Sequence, residues 1–116
     1  MLIKTRSMGF GLTDAILRHV ESRIESALGQ VSRHVVTATV RLDDVNADRG
    51  GLDKRCRVVV SLRNRATVAA EAVDADLYAS IDESARRIGR AAARAVARPM
   101  ARDRKDPQRP GSLIGV

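Results

Sequence analysis

Cysteine occurs once in 116 residues, at Cys56, so no disulfide can form within the chain and a reducing compartment is the default expectation. Tryptophan is absent, and there is one tyrosine and one phenylalanine. Any core must therefore be assembled from Val, Ile, Leu and Ala. No apolar run approaches the roughly 20 residues that a membrane-spanning helix needs, and Met1-Leu2-Ile3-Lys4-Thr5-Arg6 is too short an apolar stretch for a signal peptide. The expectation is a soluble, cytoplasmic protein with no membrane partner.

Signals of catalysis are missing as well. There is no phosphate-binding glycine loop, nucleophile elbow or dinucleotide fingerprint. His19 and His34 lack a Cys or carboxylate array at ligand spacing, so no metal is assigned and exposed histidines are expected. Asp43, Asp44, Asp48 and Asp53 lack calcium-loop spacing and read as solvated turn residues. Cys56 falls in the apolar row of a strand and reads as an inert buried thiol. An enzyme, a small-molecule substrate and a cofactor are all disfavoured.

What the chain has in excess is positive charge. It carries 21 Lys and Arg against 14 Asp and Glu, a formal net charge of +7. A basic surface attracts polyanions and releases their condensed counterions, which makes nucleic acid the leading partner class. The rival explanation is compositional: arginine dominates the basic residues and alanine is abundant, as base composition alone can produce.

The periodicities give a fold. Residues 2–7 alternate as a short strand, with Ile3 and Thr5 on one side and Lys4 and Arg6 on the other. Thr13 is placed to cap a helix whose buried stripe is Ile16, Val20, Ile24 and Leu28, with Gly29 as its stop. From residue 34 to 43 the period changes to two, Val36, Ala38, Val40 and Leu42 facing one way. A polar hairpin loop over 44–53 leads to a third strand, with Cys56, Val58, Val60 and Leu62 opposite Arg55, Arg57 and Arg63. After a tight turn at Asn64-Arg65, residues 67–73 form a fourth strand.

The stretch 73–104 then reads as one long helix. Leu77, Ile81, Ala85, Ile88, Ala92 and Ala95 share its core face, while Arg86, Arg90, Arg94 and Arg98 follow at i+4, with Arg87 beside them and Arg102 beyond. Asp74 or Asp76 can cap it, and Pro99 should end or kink it. Neighbouring like charges at i+4 cost a few tenths of a kcal/mol each (roughly 0.2–0.5). An external anion would relieve that cost. Tyr78, beside Leu77 and Ile81, is expected to pack against the sheet, and Asp82 to cap or to pair with a cation.

The order β-α-β-β-β-α gives an α+β two-layer sandwich, a four-stranded mixed sheet with two helices on one face. A right-handed crossover makes the first two strands parallel, and hairpins make the rest antiparallel. Arg6, Arg41, Arg55, Arg57 and Arg63 become a secondary candidate RNA-binding group on the open sheet face. Residues 1–98 constitute the domain and 99–116 a flexible basic tail containing Pro and Gly.

Asp76-Leu77-Tyr78-Ala79-Ser80-Ile81-Asp82 resembles the signature opening the second helix of the ribosome hibernation-promoting factor family, also called ribosome-associated inhibitors of translation. Leu12-Thr13-Asp14-Ala15-Ile16-Leu17-Arg18-His19-Val20 similarly resembles the start of that family's first helix. Arg87-Ile88-Gly89-Arg90 falls where the family commonly has basic, aliphatic, variable and basic residues. The likeness covers roughly residues 1 to 100 and is that of the short form, without the C-terminal domain that pairs ribosomes.

The resemblance implies binding to the small ribosomal subunit through ribosomal RNA, and inhibition of translation by blocking the channel of messenger and transfer RNA. RNA binding is assigned to Arg86, Arg87, Arg90, Arg94, Arg98 and Arg102. Alternatives with the same fold are a diverged protein-interaction module and a general RNA- or DNA-binding domain.

Overall fold

The computed structural model describes residues 1–9, 11–45 and 53–97. Strand β1 (Leu2–Met8) is followed by helix α1 (Asp14–Ala27), a 3₁₀ segment (Gly29–His34), strands β2 (Val35–Asp44), β3 (Lys54–Leu62) and β4 (Thr67–Asp74), and helix α2 (Leu77–Ala97). The sheet order is β1-β2-β3-β4, with β1 parallel to β2 and the other pairs antiparallel. This is the expected four-stranded mixed sheet with both helices on one face. The expected hairpin loop over 44–53 falls mostly outside the described residues, as does everything from Arg98 onward.

Local chemistry explains where the helices begin. The Thr13 hydroxyl accepts a hydrogen bond from the Ile16 amide at 3.1 Å, satisfying a donor that the first helical turn leaves free. At α2 the carboxylate of Asp76 accepts from the Tyr78 amide at 3.0 Å, and that of Asp74 accepts from the Asp76 amide at 2.9 Å. Asp76 is thus the cap. The expected start near residue 73 was early because Val73 and Asp74 still pair with Arg55 and Lys54 in the sheet. Gly29 does not terminate the first helix alone: Leu28 is the C-cap, and the chain continues as a tighter 3₁₀ turn.

One apolar layer joins these elements. Ile16, Val20, Ile24 and Leu28 of α1 meet Ala38, Val40 and Leu42 of β2, Cys56, Val58, Val60 and Leu62 of β3, and Ile81, Ala85, Ile88, Ala92 and Ala95 of α2. One strand departs from simple alternation. The β2–β3 register shifts between Val35 and Thr37, so Val35 is buried and Val36, expected inside, is exposed.

Ser84, on the same side of α2, is fully buried, and its hydroxyl donates toward Cys56 Sγ at 2.9 Å. Burial pushes the Cys56 thiol up to about 11, with the Ser84 hydrogen bond acting the other way. Its thiolate fraction at neutral pH is therefore small, which is the inert thiol its strand position implied.

Gly89 explains how two helices fit side by side. A Cβ built there would lie 2.8 Å from the Ala27 carbonyl oxygen and 3.3 Å from the Ala27 Cβ. Glycine costs a helix up to about 1 kcal/mol relative to alanine, yet here it permits the close approach of α1 and α2. Gly89→Ala is expected to destabilise the protein by about 1–2 kcal/mol net, overpacking outweighing the gain in helix propensity. Gly29→Ala, whose added methyl meets nothing within 4 Å, should cost little. Urea unfolding monitored by circular dichroism checks both.

Candidate functional site

Helix α2 divides its circumference sharply. Ser80, Ile81, Ser84, Ala85, Ile88, Ala92 and Ala95 are buried, while Arg86, Arg87, Arg90 and Arg94 are exposed. The helical period that sends the first set to the sheet sends the second away from it. Arg98 and Arg102, which extend the same series in the sequence, lie outside the described residues.

The four described arginines are not equivalent. Arg86 grips the Glu83 carboxylate with two N–H groups, Nε to Oε1 at 3.1 Å and Nη2 to Oε2 at 2.5 Å. Arg87 donates from Nε to the same Oε2 at 2.8 Å and from Nη1 to the Glu71 carbonyl at 2.7 Å. The latter contact ties α2 to edge strand β4. Hydrogen bonds from Arg86 and then Arg87 hold the Glu83 carboxyl below its ordinary range. Arg90 and Arg94 have no acidic partner among the described residues.

The open face of the sheet carries most of the second group in register. Arg6, Arg41, Arg57 and Glu71 are successive partners across the four strands, forming one transverse row. The next row holds Met8, Asp43, Arg55 and Val73. Much of this charge is met internally. Arg55 reaches Asp43 Oδ2 through Nη2 at 2.6 Å and Nε at 3.0 Å, Arg41 reaches Oδ1 at 3.3 Å, and Arg57 reaches Glu71 at 3.1 Å.

Arg63 stands apart from the others. It lies past the end of β3, where its Nε donates to the Arg33 carbonyl at 2.8 Å. Lys4, in the row beside Arg6, was not singled out from sequence, although alternation along the first strand puts the two on one side.

Several acidic residues differ from their sequence reading. Asp43 is 5% exposed and Asp53 7%, so they are buried rather than solvated; Asp48 lies outside the described residues. Asp43 was misread because its covering groups, Arg41 and Arg55, are themselves polar. Lys54 sits between two carboxylates, Asp53 at 3.0 Å and Asp44 at 3.3 Å, and its ammonium is held above the usual lysine range, chiefly by the hydrogen bond to Asp53.

A polar clasp joins the helices. Asp82 is 2.7 Å from His19 Nε2 and 3.1 Å from Arg23 Nε, as an ion-pairing role predicts. His19 is consequently half-buried and paired rather than simply exposed. Tyr78 does not pack on the sheet: it is exposed, and its ring stands edge-on to that of His19 with centroids 4.8 Å apart. Its place just inside the α2 cap turns it toward α1. The pairing of Glu83 with Arg86 and Arg87 was not singled out from sequence, although i+3 and i+4 is the spacing of a helical ion pair.

Among the described residues no three His, Cys, Asp or Glu side chains converge as a metal site requires, and no helix is long and apolar enough to cross a membrane. The exposed arginines of the described surface are suited to binding phosphate by charge and by the planar guanidinium fork.

A family model described as Sigma 54 modulation protein / S30EA ribosomal protein matches residues 3–98. Among solved structures, a ribosomal subunit interface protein from Coxiella burnetii is similar with a TM-score of 0.73 and 17% identity, covering 84% of this chain and 100% of that one. The Protein Y N-terminal domain of Thermus thermophilus is similar with a TM-score of 0.67 and 28% identity, covering 82% and 99% respectively. No curated protein matches the sequence.

Acid titration tests the sheet-face pairing. Burial raises the Asp43 carboxyl, but the Arg55 and Arg41 contacts outweigh it and leave the group below its ordinary value of 3.8. A depressed carboxyl contributes stability above its unfolded value and loses it as pH falls through the folded one. Asp43→Asn should therefore lower stability at pH 7 by about 1–2 kcal/mol, given two partly exposed arginine partners. The gap to wild type should narrow as the medium is acidified below pH ~4, read by urea unfolding at stepped pH.

Proposed function

This chain belongs to the Sigma 54 modulation protein / S30EA ribosomal protein family, and on that premise we propose that it binds the small ribosomal subunit through ribosomal RNA and inhibits translation there. It acts by occupancy. Seated in the channel taken by messenger RNA and transfer RNA, it excludes both and leaves the ribosome silent, a hibernating state. The place of action is the cytoplasm, and no substrate is turned over.

The observation that carries this reading is the outward face of α2, where Arg90 and Arg94 stand exposed without an acidic partner among the described residues. Four residues of helix rise about 6 Å, so the two guanidiniums are presented one above the other on a rigid element. Each can take two phosphate oxygens, and both stay charged at any physiological pH. Structured RNA is contacted in this way mainly through phosphate and shape. The sheet-face arginines, largely paired with Asp43 and Glu71, form a secondary surface of lower net charge.

The purified chain is expected to sediment with small subunits at moderate salt and to suppress translation in a reconstituted system. Arg90→Glu combined with Arg94→Glu should reduce binding at least tenfold while circular dichroism and urea midpoint stay near wild type, because neither side chain enters the core. Undiminished sedimentation of the double variant would remove α2 from the interface. Equal affinity for any duplex or single strand would indicate a general nucleic-acid binder instead.

A further inference from the structure

We infer that Glu83 is a positioning residue that withholds Arg86 and Arg87 from polyanions, so that RNA docks on the C-terminal half of α2 through Arg90 and Arg94. This rests on the ribosome-binding reading for the identity of the RNA, but the withholding itself is a property of the chain. The sequence shows one basic stripe of even spacing, whereas the structure shows a stripe in two parts.

The first part is a closed triad. One carboxylate accepts three N–H groups from two guanidiniums, at 3.1, 2.5 and 2.8 Å, and the Glu71 carbonyl accepts a fourth from Arg87 at 2.7 Å. Two of the five N–H groups of each arginine are thereby engaged: in Arg86 they fill the Nε/Nη2 edge, and in Arg87 they are Nε toward Glu83 and Nη1 toward Glu71. A phosphate approaching Arg86 or Arg87 also approaches the Glu83 carboxylate and meets a like charge. Arg86, Arg87 and Glu83 together present one net positive charge rather than two.

The second part is open. One turn further along, Arg90 and Arg94 have no carboxylate at i−4 or i−3: those positions are Arg86 and Arg87 for Arg90, and Arg90 and Ala91 for Arg94. No described acid bonds them from another element either. Arg90 and the flank of Arg86, with Gln30, Ala27, Gly89 and Ala93, line a shallow groove whose lining includes no acidic side chain. Polyanion is thus attracted less strongly at one end of the stripe than at the other, which biases where along the helix it sits.

The experiment uses the whole chain, two probes and four variants. On immobilised heparin, Glu83→Gln is expected to elute at distinctly higher salt than wild type. With small ribosomal subunits, its log affinity should fall more steeply with log salt, by about 0.7–0.9 for each arginine released and so by about 1.4–1.8 for both. Glu25→Gln, which removes an equal charge from the exposed surface of α1, should shift both readouts by clearly less. Glu83→Gln added to Arg86→Gln and Arg87→Gln should have no further effect on the slope.

An unchanged heparin elution for Glu83→Gln, or a shift matched by Glu25→Gln, overturns the inference. So does weaker binding with an unchanged slope, which would mean that Glu83 prepares the arginines for RNA instead of withholding them. If wild type ignored small subunits while the heparin shifts appeared as expected, the ribosome reading would fall and the withholding would stand.

Discussion

The contact of Gly89 with the Ala27 backbone sets the rest of the structure. A Cβ at residue 89 would come within 2.8 Å of a carbonyl oxygen that belongs to a helix and cannot swing aside. Glycine there lets α1 and α2 approach this closely without overpacking where both cover one face of the four-stranded sheet. The core compositions agree with this. With Ala85, Ala92 and Ala95 on the buried side of α2, and branched aliphatics on β2 and β3, the layers approach closely without aromatic side chains. The buried face of α2, Ile81, Ala85, Ile88, Ala92 and Ala95, faces the sheet, and its exposed arginines therefore face away from it.

The placement of acids decides what the basic excess can do. On the sheet, Asp43 accepts from both Arg41 and Arg55, and Glu71 from Arg57, so three of the arginines there are partly neutralised. On α2, Glu83 engages Arg86 and Arg87. Among the described arginines of α2, Arg90 and Arg94 are the ones left without an acidic partner. Net charge describes long-range attraction, but the distribution of carboxylates decides where contact is made.

Most of the fold was legible in the sequence because its periods are clean. Ile16, Val20, Ile24 and Leu28, with Leu17, Ala27 and Val31 at odd spacings beside them, make one stripe in a helix but not in a strand, whereas Cys56, Val58, Val60 and Leu62 make one row in a strand. The failures have physical causes. The β2 irregularity inserts Val36 without altering composition, so alternation extrapolated across it puts Val35 and Val36 on the wrong faces. A period identifies the inward side of an element but not what covers its flanks. Tyr78 and His19 therefore looked unrelated until α1 and α2 were seen side by side, and Asp43 looked solvated until Arg41 and Arg55 were seen to fold over it. The helix start was blurred because Asp74 belongs to a strand pair and Asp76 to a cap, two residues apart.

The side chains that hold α2 to the sheet and the arginines proposed here for binding lie on opposite sides of the same helix. Ile81, Ile88 and Ala92 hold α2 to the sheet whether or not RNA is present, so its arginines are displayed before any encounter and little backbone order has to be gained on docking. Contacts made by a few guanidiniums through released counterions are fast to form and reversible by salt or competing polyanion. Arginine at positions 90 and 94 offers a planar fork that lysine would lack, so geometry as well as charge can select among phosphate arrangements. Removing those charges leaves the core untouched, whereas altering Gly89 moves the platform on which they stand; loss of binding from the two kinds of change therefore has different structural origins.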